Sequence, residues 1–184
     1  EVTMPPKPNK LQPAFVGGAI IGVISAVPFL NLINCFCCAG VLLGGFLAVM
    51  FYKNNITPGM APLTSNDGIA VGALAGLFGA VFATVLGGMI LALFGNVTGE
   101  MIYDFMIEFY ENTGVEVPEE LYDELRESLV EETLGFGWLM VSLFVGAIVD
   151  TLFGLLGGLI GFAVFKPKTP PVALAGPPPA VPGM

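Results

Sequence analysis

Four apolar runs dominate this chain, at positions 14–33, 35–52, 68–94 and 136–165. A helix needs about 20 mainly apolar residues to cross the hydrocarbon core of a bilayer. The first two runs match that length and the last two exceed it. Only 11% of the residues are charged and 55% are hydrophobic, against roughly a quarter charged in a soluble domain. Too little polar surface remains to cover four such helices as a soluble core. The runs predict an all-α membrane protein built as a four-transmembrane-helix bundle. The first run follows Lys7 and Lys10 as a secretory signal would. It lacks a small-x-small cleavage site and leads straight into a second run, so a retained span is expected.

Charge fixes the expected orientation. Twelve of the fifteen carboxylates lie between Glu100 and Glu132, whereas Lys7, Lys10, Lys53, Lys166 and Lys168 flank the runs. The positive-inside rule assigns the lysine flanks to the cytoplasm, and four crossings satisfy all of them. The expected order is a cytoplasmic Pro-rich tail (1–13), a transmembrane hairpin (14–52), a cytoplasmic loop (53–67) and a third span (68–96). An acidic extracytoplasmic helical hairpin (97–135), a fourth span (136–165) and a cytoplasmic Pro-rich tail (166–184) complete it. The location implied is the cell (inner) membrane, multi-pass, with both termini cytoplasmic.

Within the acidic segment, Met101, Ile102, Phe105, Met106 and Phe109 recur at helical spacing with Glu100, Asp104, Glu108 and Glu111 opposite. Asn112-Thr113-Gly114 reads as a stop, and Pro118 suits the opening of a second helix with Leu121, Leu125 and Leu129 on one face. The apolar stripes are expected to pack on each other and on the projecting ends of spans three and four. A docking surface for another subunit is the alternative.

The 25 glycines concentrate inside the runs. Gly18 and Gly22, Gly40 and Gly44, Gly68, Gly72 and Gly76, and Gly146, Gly154 and Gly158 sit on helical strips of small residues. Such strips let helix backbones approach closely in a membrane, so these ten are the expected helix-packing positions. The Asn34-Cys35-Phe36-Cys37-Cys38 turn followed by Gly44-Gly45, the Asp67-Gly68 opening of the third run and Gly157-Gly158 resemble small uncharacterised prokaryotic four-span glycine-rich integral membrane proteins. That resemblance covers about half the chain. It implies membrane location and a four-helix fold and supplies no activity.

Candidates for chemistry are few. Histidine is absent, which removes the commonest metal ligand and general base. A net charge of −9 with a single arginine excludes nucleic acid as an expected partner. Asp150 is the one charged residue inside a run, on the Gly146–Gly154–Gly158 strip. It reads either as an anchor bonded to Thr151, Ser142 or backbone, or as the lining of an ion path. Cys35, Cys37 and Cys38 form a thiol cluster too small for a four-thiolate site, and buried apolar packing is the plainer reading. The acidic segment lacks the spacing of a calcium loop. Neither a cofactor, nor a metal, nor a catalytic residue is expected, and the chain does not read as an enzyme. The expected function is a structural or accessory subunit, packed in the lipid bilayer against other membrane protein subunits in a homo- or hetero-oligomer. The alternative is a small channel or transporter with Asp150 lining the path.

Overall fold

The computed structural model describes residues 5–31, 34, 38–114, 118–131 and 136–167, and every regular element among them is helical. In chain order these are α1 (Leu11–Ala26), α2 (Pro28–Asn31), α3 (Ala39–Asn54), α4 (Ser65–Phe94), α5 (Val97–Thr113), α6 (Glu119–Arg126) and α7 (Phe136–Phe165), with a π-helical turn, Glu127–Glu131, continuing α6. The predicted all-α class holds. The outer parts of the Pro-rich tails, 1–4 and 168–184, lie outside the described residues.

The third and fourth runs became single 30-residue helices, α4 and α7, each about 45 Å long at 1.5 Å per residue. α4 and Leu139–Phe165 of α7 are long and apolar enough to cross a membrane. α4 starts earlier than its apolar run because Thr64 and Asp67 form a reciprocal capping box. The first two runs gave shorter helices. α1 and α3 have 16 residues each, or about 24 Å, short of the roughly 30 Å hydrocarbon core. Pro28 drives Val27 into extended backbone (φ −82°, ψ 119°) and ends α1; α2 then adds one more turn. At the other side of the turn Cys38 adopts the left-handed conformation (φ 54°, ψ 38°) before α3 can begin. Asn34 supports that entry, its Oδ1 accepting from the Gly40 amide at 3.1 Å.

α1, α3, α4 and α7 pack as a four-helix bundle. α4 runs along both α1 and α7, α3 touches both as well, and α3 meets α4 across the centre. The buried residues include Ile21, Val41, Val49, Tyr52, Val71 and Ala75, and between them the helices meet on glycine. A methyl group at Gly154 would stand 2.6 Å from the Gly72 carbonyl oxygen, and one at Gly68 2.8 Å from that of Gly158. Gly72 and Gly158 face the same seam, and Gly76 lies against the backbone of Asp150 and Thr151. Gly17 and Gly44 hold α1 against α3, while Gly18 and Gly22 face Phe78 and Phe82 of α4. Gly40 meets the side chains of Asn34 and Ile24. Gly146 departs from the expected strip: the nearest atom to a methyl there is Ala80 Cβ at 3.9 Å.

Size is sorted inside out. Small residues face the helix seams, whereas Leu77, Val81, Val85, Met89 and Leu93 of α4 and Ile148, Leu152, Leu156, Ile160 and Val164 of α7 are exposed. Packing also changes along the axis. Gly87, Gly88 and Gly137 have no atom within 4 Å of an added methyl, so α4 and α7 are tight over 68–76 and 150–158 and part beyond them.

α5 is capped by Asn96, whose side chain accepts from the Gly99 amide at 2.9 Å. Gly114 in the left-handed conformation ends it. Its apolar stripe does not pack as expected: Phe105 is 68% and Phe109 56% exposed. α5 meets the π-helical turn, where Asn96 Nδ2 donates to the Leu129 carbonyl at 2.7 Å. The turn brings α5 in at its N-terminal end, about two to three turns ahead of the exposed phenylalanines.

Candidate functional site

Where α4 and α7 part, polar side chains line the gap. A cavity of about 340 Å³ is bordered by Ser25, Asn31, Asn34, Thr84, Ser142 and Asp150. A second of about 410 Å³ shares Ser25, Asn31, Thr84 and Ser142 and continues to Asn96 and Gly99 at the foot of α5. Together they form one cleft from the middle of the bundle toward the acidic hairpin. Each element delivers its part for a local reason. The early end of α1 at Pro28 places Ser25 and Asn31 on the rim. The long straight course of α4 and α7 carries Thr84 and Ser142 past the glycine seam, where no backbone closes over them.

The hydrogen bonds in this wall are directional. Asn34 Nδ2 donates to Ser25 Oγ (3.0 Å) and to Asn31 Oδ1 (3.2 Å). Thr84 Oγ1 donates to the Ala80 carbonyl at 2.8 Å, the usual way a threonine satisfies itself on an apolar helix. Asp150 sits at the deep end, its backbone against Gly76. Its carboxylate has neither a hydrogen bond nor an ion pair among the described residues. The expected anchoring bonds to Thr151 and Ser142 are therefore not formed. None of the residues lining either cavity is a lysine or arginine.

Cys38, from the thiol cluster, borders the cavity; Cys35 and Cys37 lie outside the described residues. Among the described residues no three His, Cys, Asp or Glu side chains come together as a metal site.

A second polar cluster closes the opposite end of the bundle. Lys7 Nζ lies 2.5 Å from Asp67 Oδ2 and Lys10 Nζ 2.9 Å from Oδ1. Thr64 adds its hydroxyl at 2.7 Å and its amide at 3.0 Å. Asp67, in the turn ahead of the apolar run, is only 3% exposed. Burial alone would raise its pKa, but the two ammonium groups and the Thr64 bonds outweigh it and hold the carboxyl well below the usual range. Next to it the hydroxyl of Tyr52 is fully buried without a hydrogen-bond partner among the described residues.

Asp67 was read from the sequence only as a helix opening and the lysines only as orientation marks. The Thr64-x-x-Asp67 spacing was the available signal. Ser25, Asn31, Asn34, Thr84, Ser142 and Asp150 also carried one, since every polar interruption of the runs among them lies in the half away from the lysines. Comparison with models of protein families, with curated proteins and with solved structures finds no match to this chain.

Proposed function

We propose that the chain is a multi-pass membrane protein whose four packed helices cross the bilayer, and that it acts as a small channel or transporter with Asp150 at the base of its path. The observation that carries this is the cleft itself: a carboxylate without a partner among the described residues, in a polar gap between otherwise apolar helices. An ionisable group inside apolar helices is costly and marks a path or a binding site more often than a packing contact. The exposed Leu, Ile, Val and Met rows on α4 and α7 support immersion in lipid, because a soluble surface does not tolerate so much contiguous apolar area. The lysines support a cytoplasmic position for the Asp67 end and an external one for the acidic hairpin. The shortness of α1 and α3 suits a mouth set below the level of the hairpin, between the taller α4 and α7.

The test is flux. Purified protein in liposomes should pass a small polar solute or ion, and Asp150→Asn should abolish the passage while the protein still inserts and melts normally. Full flux in the Asn variant removes the reading's support.

The accessory-subunit reading keeps one observation in its favour, the exposed Phe105 and Phe109 on α5. Under it the hairpin docks a second membrane protein and glycine-lined helices pack in a larger assembly. A monodisperse monomer in mild detergent, with no protein accompanying it, counts against that role.

A further inference from the structure

We infer that the cleft is a binding site for a small monovalent cation, entered from the side of the acidic hairpin, with the Asp150 carboxylate as its counter-charge. This rests on the reading of the cleft as a path, and names what occupies it.

Three features of the wall point to a cation. First, charge: among the described residues the one group bordering the gap with a formal charge at neutral pH is Asp150, without a countercharge beside it. An anion would meet that carboxylate with nothing to offset it.

Second, hydrogen-bond polarity: two of the polar side chains in the wall spend their hydrogens within it. Both hydrogens of the Asn34 amide go to Ser25 and Asn31, and the Thr84 hydroxyl hydrogen goes to Ala80. What Thr84 leaves toward the gap is lone pairs, and Asp150 has acceptors alone. A carboxylate with oxygen acceptors in the same lining, and no ammonium or guanidinium group there, recognises a positive group and disfavours an anion.

Third, valence and size: divalent calcium takes six to eight oxygens and usually several carboxylates, and this wall supplies one. At about 30 Å³ per water, a gap of about 340 Å³ holds on the order of ten water molecules. A small ion would therefore bind partly hydrated, and affinity in the millimolar range with weak selectivity among sizes is expected. The carboxylates of α5 and α6 above the mouth raise the local cation concentration without forming a site themselves.

The experiment is equilibrium binding to the purified full chain in detergent micelles, using radiolabelled sodium, rubidium and methylammonium at constant ionic strength. Saturable uptake of about one cation per chain is expected. Asp150→Asn should weaken it by more than about tenfold, the usual consequence of deleting a charged partner. Thr84→Val, which keeps shape but removes the oxygen, should weaken it several-fold in a protein whose melting temperature is unchanged. Absence of saturable binding by all three cations to the wild-type chain overturns the inference, as does equal binding by wild type and both variants. The flux reading fails separately: cation binding lost in Asp150→Asn without passage of any solute in liposomes retains this site and discards transport.

Discussion

Lys7 and Asp67 stand 60 residues apart in sequence and form an ion pair at the lysine-rich end of the bundle. The pair ties the segment ahead of α1 to the first turn of α4, and Lys10 occupies the second carboxylate oxygen. The N-terminal segment is thereby held across the end of the helices that the cleft does not reach. The molecule is asymmetric along its axis, glycine-tight and ion-paired at one end, parted and polar at the other.

Removing the carboxylate leaves two ammonium groups and the Thr64 amide without their acceptor. Asp67→Asn should therefore lower stability by about 1–3 kcal/mol, read as a fall in melting temperature of the detergent-solubilised protein. The folded-state pKa of Asp67 is depressed from its ordinary value of 3.8. Its contribution is thus fully present above that value and lost as pH falls through the lower, folded pKa. The gap between wild type and Asp67→Asn should be constant from pH 7 to about 5 and close progressively below about 4. A gap that widens on acidification would contradict the pairing.

The glycines divide into two kinds, and substitution should separate them. A methyl at Gly154 meets the Gly72 carbonyl oxygen at 2.6 Å, with Gly76 Cα at 3.0 Å, all backbone that moves only if α4 and α7 separate. Gly154→Ala should cost about 1–3 kcal/mol, in the range of overpacked cores. At Gly87 nothing lies within 4 Å. Gly87→Ala should be neutral or stabilise by up to about 1 kcal/mol through helix propensity. Thermal melts of the two variants in the same detergent decide it, and equal losses would remove the distinction between the tight and the parted halves.

Much of this architecture is legible in the amino-acid sequence. Run 136–165 coincides with α7 because nothing polar enough to stop a helix interrupts it. Run 14–33 is longer than the helix it forms because Pro28 stops α1 at Ala26, a stop that the proline itself signals. Cys38 in left-handed backbone shortened the second helix in a way that no propensity for cysteine predicts. In the site, Asp150 stands out because it is the one charged residue inside a run. Thr84 and Ser142 do not, because a single hydroxyl bonds its own helix and gains meaning only when the seam around it opens. The Lys7–Asp67 pair was hidden for a different reason. Contacts between distant segments follow from how helices are set side by side, which residue type and spacing do not specify.

Orientation follows from the sorting of charges. In a variant with Cys35, Cys37 and Cys38 replaced by alanine, Glu120→Cys on α6 should react with a membrane-impermeant maleimide in intact cells. Asn55→Cys, exposed after α3, should react only after permeabilisation. Labelling of both positions in intact cells would break the four-crossing arrangement, because the single span α4 between them keeps these two segments on opposite sides.

The α5 face gives the last test, and it separates the two readings of function. Phe105 and Phe109 lie one turn apart and are more than half exposed, with α5 held at its foot through Asn96 and Leu129. A ring left in solvent gains nothing for the fold, so Phe105→Ser with Phe109→Ser should leave the melting temperature within about 1 °C of wild type, as surface changes do. If the chain works alone as a transporter, flux through the Asp150 cleft should also be unchanged. If the hairpin docks a partner, the double variant should run as a smaller particle in mild detergent than the wild-type protein does. Because aromatic residues near the centre of an interface carry most of its binding energy, that loss should be nearly complete rather than graded. Unchanged particle size together with unchanged flux leaves the cleft, and not the hairpin, as the functional part of the molecule.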